Sequence, residues 1–100
     1  MAYQVVWSPR AIEDVEAIAS FIAKDSVAYA AAVVQKILDT TGNLNKFPLI
    51  GRIVPELGDP AIREKLVYSY RIIYRVEAET ITIAAVIHGK RLLESEMNDS

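Results

Sequence analysis

The sequence contains no cysteine and a single histidine. The first absence excludes disulfides and thiol-ligated zinc together; the second argues against a dedicated transition-metal site. No apolar run approaches the roughly 20 residues needed to span a bilayer. Met1-Ala2-Tyr3-Gln4 lacks a basic segment leading into an apolar one, so no signal peptide is expected. Internal repeats, low-complexity segments, a P-loop, a glycine fingerprint and a Ser-His-Asp order are all missing. What is present is a 100-residue chain, 52% hydrophobic and 24% charged, a globular composition. Its length suits one core and one domain over residues 1–100. The expectation is a soluble, cytoplasmic domain with no cofactor and no metal.

The net charge of −2 is unevenly spread. Residues 1–45 hold three Lys/Arg against five Asp/Glu, residues 46–91 hold eight against five, and the stretch from Leu92 adds Glu94, Glu96 and Asp99. An anionic partner would meet the second segment, although the excess is far below the basic footprint of a general nucleic-acid binder.

Residues 3–7, Tyr-Gln-Val-Val-Trp, are β-branched and aromatic and predict a strand. Ser8-Pro9 supplies a capping hydroxyl followed by proline at the first helical position. Ala11, Ile12, Val15, Ile18, Ala19 and Ile22 then recur at helical spacing, predicting an amphipathic helix over 9–23, with Glu13, Asp14 and Glu16 suiting the macrodipole. Asp25-Ser26 offers a second cap, followed by Val27, Ala30, Ala31, Val34, Ile37, Leu38, Thr41 and Leu44 on a longer helix. Two helices so closely joined should form an antiparallel hairpin. Pro48, Gly51, Pro55, Gly58 and Pro60 mark a long loop over 46–60. Strand-like stretches follow at 62–67, 70–76 and 81–88, joined closely enough for hairpins. The order β-α-α-loop-β-β-β predicts an α+β domain, with the helix hairpin on one face of a mostly antiparallel sheet. Val15, Ile18, Ile22, Val34, Leu38, Leu66, Ile72, Tyr74 and Val86 are the expected core; Trp7 is expected as a core anchor ahead of an interface hot spot, and Phe47 caps the core or faces a partner.

Alternation along 70–76 places Tyr70, Ile72, Tyr74 and Val76 under the helices and Arg71, Ile73 and Arg75 on the far face. Arg63 and Lys65 share one side of the preceding strand. If register sets them beside Arg71, four cations line one open sheet face. Like charges so placed repel, which fits a face awaiting phosphate or an acidic peptide. It fits better a solvated face whose cations keep the sheet soluble or pair with Glu64, Glu77 and Glu79, since charge runs are usually solvated. The last strand is apolar on both faces over Ile83–Ile87, as a doubly covered strand requires, and ends in His88-Gly89-Lys90-Arg91. His88 is a candidate proton-transfer group or a hydrogen-bonding structural residue.

Pro48-Leu-Ile-Gly51-Arg52, Val54-Pro55-Glu56, Ile62-Arg63-Glu64, Tyr70-Arg-Ile-Ile-Tyr74-Arg75 and Ile87-His88-Gly89-Lys90-Arg91 occur in one order across the chain. Together they resemble the ParE-type toxins of the bacterial RelE/ParE superfamily, often described as plasmid stabilisation proteins. The resemblance implies a β-α-α-β-β-β fold and the toxin half of a type II toxin–antitoxin pair, with a cognate antitoxin as partner. Toxins like ParE bind DNA gyrase and trap its cleaved-DNA complex without bond chemistry of their own. Toxins like RelE cut messenger RNA on the ribosome without a metal, using basic side chains to stabilise charge at the scissile phosphate. For that activity Arg71 and Arg91 match the family's arginines. Arg63 and Lys65 match its lysine pair with one residue deleted around Tyr68-Ser69, and the assisting tyrosine falls near Met97. Many relatives carry glycine where Tyr68 stands. A gyrase inhibitor, a ribosome-dependent endoribonuclease using Arg63, Lys65, Arg71, His88 and Arg91, and a non-toxic antitoxin-binding relative are the three functions to separate.

Overall fold

In a computed structural model, residues 3–90 are described. Gln4–Trp7 form β1, Pro9–Ala23 α1, Val27–Asn43 α2, Arg52–Ile53 β2, Ile62–Val67 β3, Tyr70–Glu77 β4 and Thr80–His88 β5. The five strands make one sheet in the order β1-β5-β4-β3-β2. β1 runs parallel to β5 and every other neighbouring pair is antiparallel. The expected α+β architecture is therefore present, with one addition: the loop carries the short edge strand β2.

Both helices start where the caps placed them. Ser8 Oγ accepts from the Ala11 N–H at 3.0 Å, with Pro9 at the head of α1, and Ser26 Oγ accepts from the Tyr29 N–H at 3.0 Å. The acids of α1 begin beyond its first turn, so the macrodipole gains nothing from them there. Asp14 instead serves the sheet. The register of β4 and β5 slips by one residue, pairing Ile73 with Ala85 and Tyr74 with Ile83, a bulge that turns backbone groups out of the ladder. Asp14 Oδ2 accepts from the Val86 N–H at 2.9 Å, and Ser8 Oγ donates to the Ala84 carbonyl at 3.0 Å. The first turns of α1 are thus fixed to the middle of β5.

The helix hairpin covers one sheet face. Ala11, Val33, Ile37 and Leu44 pack on Val67, Ile72, Tyr74, Ile81, Ile83 and Val86, with Val15, Ile18, Ile22 and Trp7 partly buried around them. Burial of each large apolar side chain stabilises by about 1.5–3 kcal/mol. Expectation and structure part at three core positions. α2 turns Ala30, Val33, Ile37 and Thr41 inward, leaving Leu38 47% exposed and Val34 outside the cluster. Leu66 lies on the other face, 58% exposed, and Phe47 also faces outward.

That other face is closed by the loop. Val54, Ile73, Ala85 and Ile87 form a second buried cluster with Ile62 against it, so β5 is apolar on both sides because both are covered. The Tyr74 hydroxyl donates to the Pro48 carbonyl at 2.9 Å and accepts from the Gly51 N–H at 2.9 Å. Gly51 has no room for a larger residue: a Cβ there would meet the Glu64 carbonyl and lie 2.6 Å from the Tyr74 hydroxyl. The hairpin connections at Tyr68-Ser69 and Ala78-Glu79 each open with a left-handed residue, Tyr68 at φ 54° and Ala78 at φ 42°. Such turns match strand twist, but each costs a non-glycine residue about 1–2 kcal/mol.

Candidate functional site

Register decides what the basic residues can do. β3 and β4 pair Val67 with Tyr70, Leu66 with Arg71, Lys65 with Ile72, Glu64 with Ile73 and Arg63 with Tyr74. Paired residues share a face. Arg63 and Lys65 therefore stand on the helix side of the sheet, and Ile62, Glu64 and Leu66 share the outer side with Arg71, Leu66 directly opposite it. The row of four cations, which required the register to set Arg63 and Lys65 beside Arg71, is thus absent. Across the two-residue connection Tyr68-Ser69, Leu66 stands opposite Arg71 with Glu64 diagonal to it, so Arg63 and Lys65 do not flank Arg71.

Arg71 does lie opposite the helices, as alternation requires, but it is not on an open surface. It is 5% exposed and Glu64 is 1% exposed. Its Nε donates to Glu64 Oε1 at 2.7 Å, and Nη1 and Nη2 donate to the two oxygens of Glu56 at 2.7 and 2.8 Å. Arg52, from β2, closes the group through Nε to Glu64 Oε2. Two arginines and two glutamates are thus balanced in one network, and bidentate geometry makes the Glu56 contact strong and directional. The Glu56 hydrogen bonds push the Arg71 pKa up, against the lowering effect of burial, with Glu64 adding to the rise. This guanidinium fastens the loop to the sheet.

Arg63 is a second fastener. Its Nε donates to the Pro60 carbonyl at 3.0 Å, and Nη1 donates to the carbonyls of Gly51 and Leu49 at 3.0 and 3.3 Å. Lys65 is half-buried. His88 is exposed at the end of β5; its ring meets Tyr70 edge-on at 5.8 Å, and Nδ1 accepts from the Lys90 N–H at 3.2 Å. Arg91 and Met97 lie outside the described residues. The catalytic candidates are thus dispersed: Arg63 and Lys65 on one face, Arg71 buried on the other, and His88 at a strand end.

Two open depressions flank that strand end. One, of about 380 Å³, lies between α1 and the sheet and is bordered by Arg10, Asp14, Phe21, Tyr70 and His88. The other, of about 540 Å³, lies on the outer face and is bordered by Arg52, Leu66, Tyr68, His88 and Lys90, with Arg71 and Glu56 in its wall. Among the described residues, no group of three His, Asp or Glu is placed to hold a metal ion, and no helix is long and apolar enough to cross a membrane.

Sequence reading missed Glu56 and Arg52 as site residues and offered Glu64 only as one possible partner. A two-residue hairpin pairs 67 with 70 and so puts 64 on the Arg71 face by parity, a signal that was available. Glu56 gave none, because its place depends on how an irregular loop folds back.

No curated protein shows significant sequence similarity to the chain. Solved structures share its fold. A chromosomal ParDE toxin–antitoxin system from Pseudomonas aeruginosa matches at a TM-score of 0.72 and 20% identity, over 87% of this chain and 96% of that one. A substituted RelE toxin from Escherichia coli, in the free state, matches at 0.68 and 18%, over 99% and 93%. The heterotetrameric YoeB–YefM toxin–antitoxin complex from Staphylococcus aureus matches at 0.56 and 17%, over 88% and 98%. The family model of the ParE toxin of the type II toxin–antitoxin system parDE matches residues 5–93. With that match spanning nearly the whole sequence on the fold just described, the chain belongs to the ParE toxin family.

Proposed function

We propose that this toxin acts as a ParE-like inhibitor that binds DNA gyrase, is neutralised by a cognate antitoxin, and performs no bond chemistry itself. The observation that carries the reading is the engagement of Arg71. Cleavage of RNA by basic side chains needs cations gathered around a phosphate. Here the guanidinium that would lead such a group is held by Glu56 and Glu64, with Leu66 opposite it on the neighbouring strand. An antitoxin partner is supported by neighbours solved as toxin–antitoxin systems or complexes. It is also supported by the apolar side chains that the helix pair leaves exposed, Phe21, Val27 and Leu38 among them, which suit a segment that folds on binding.

The purified protein is expected to inhibit gyrase supercoiling and to accumulate cleaved DNA. Codon-dependent cleavage of messenger RNA on programmed ribosomes, lost on Arg71→Ala, would overturn the reading. Full growth on induction without antitoxin, with folded protein confirmed, would reduce it to antitoxin binding alone.

A further inference from the structure

Tyr68 occupies a position that its own backbone disfavours. At φ 54° glycine is free of strain and tyrosine is not. The ring does not repay this by covering core: it is 59% exposed and leans on Tyr29, itself half exposed, with ring centroids 6.3 Å apart. Leu66, 58% exposed, lies beside it at the mouth of the outer-face depression. A strained residue bearing a large exposed side chain is a reason to look for a contact. The charge around it says which kind. Glu56 and Glu64 balance Arg71 and Arg52 within the wall, so among the described residues Lys90 on the rim supplies the net positive charge, with His88 at the lip.

We propose that the tip of the β3–β4 hairpin docks an acidic peptide segment of a protein partner, Tyr68 and Leu66 receiving an apolar side chain and Lys90 an adjacent carboxylate. Among the described residues, one net positive charge at the rim matches one or two carboxylates. It does not match a nucleic-acid backbone, which presents a negative charge every few ångströms. The proposal rests on the reading above only in expecting a protein partner, and its test reads neither gyrase inhibition nor growth, so the two fail separately.

The probes are short fluorescein-labelled peptides alternating Glu with Leu, Gln with Leu, and Glu with Gly, titrated with the purified protein to about 1 mM. The Glu/Leu peptide is expected to bind about tenfold more tightly than either control. Tyr68→Gly, which relieves the backbone and keeps the fold, and Lys90→Glu are each expected to remove that preference. Equal binding of the Gln/Leu peptide, unchanged binding by both variants, no binding over the range, or displacement of the peptide by a single-stranded oligonucleotide would overturn the proposal.

Discussion

The two faces of the sheet are closed by different physics. On the helix side, Val33 and Ile37 of α2 and Ala11 of α1 lie on Ile72, Ile81 and Ile83, and closure is apolar contact between regular elements. On the outer side an irregular loop is held by Arg71, Glu56, Glu64 and Arg52, around a small cluster of Val54, Ile73, Ala85 and Ile87. An apolar interface weakens gradually as methylene groups are removed. A buried ionic network does not, since removing one member leaves its partner charged and dry. The comparison also supports the function proposed. The face that could have gathered cations for phosphate chemistry spends them on holding the loop.

The largest expected effect tests that difference directly. Arg71→Met should cost about 3–5 kcal/mol in urea unfolding, because Glu64 would remain buried with Arg52, mostly exposed, as its remaining cation. Adding Glu64→Leu and Glu56→Gln to the same chain should recover most of that loss, since a well-packed apolar group can replace a buried ion pair at little cost. If Arg71→Met costs less than about 1 kcal/mol, the network is not what closes the outer face.

The same contrast explains what the sequence allowed one to read. Caps, helical periodicity and alternation are local signals, and they placed α1, α2 and the three hairpin-linked strands within a residue or so of the observed bounds. They also sent Arg71 to the face opposite the helices. Local signals fail where an element is apolar all round: in the run Ala30-Ala31-Ala32-Val33-Val34, neither Val33 nor Val34 is marked as the inward one, and the expected stripe, which held Ala30, Ile37, Thr41 and Leu44, took Val34 and Leu38 and passed over Val33. The edge strand β2, two residues long, is defined by pairing with Glu64 and Arg63 and not by its own composition. The site depended on non-local facts, above all the return of Glu56 across the sheet and the register, which separates the cations that the sequence could have set in a row.

The loop's anchor gives the next effects. Gly51→Ala would drive a Cβ into the Glu64 backbone and the Tyr74 hydroxyl, and is expected to cost ~3 kcal/mol, at the upper end for overpacking. Tyr74→Phe removes a hydroxyl bonded to Gly51 and Pro48 and is expected to cost about 1–3 kcal/mol. The tyrosine also makes a signature in alkali. Burial raises the Tyr74 pKa above 10.0, opposed by the Gly51 hydrogen bond and by Arg63. The unfolded chain therefore loses this proton first as pH rises. The stabilisation is whole below the unfolded pKa of about 10 and falls away as pH climbs through the folded value. The wild-type urea midpoint should drop more steeply above pH 10 than that of Tyr74→Phe, and parallel curves would count against a buried phenol at this site.

The smallest effects should have the opposite sign, and they separate strain kept for contact from strain without it. Ala78 and Tyr68 hold the same place in their hairpins, both left-handed. Ala78→Gly and Tyr68→Gly should each stabilise the fold by about 1 kcal/mol, the relief of a crowded Cβ less the added freedom of glycine in the unfolded chain. Thermal melts of the two variants check this. Tyr68→Gly should gain slightly less than Ala78→Gly, because it also gives up the ring contact with Tyr29. A loss of stability in Tyr68→Gly alone would mean that this contact outweighs the strain. The tyrosine would then be explained by the fold, with no partner required.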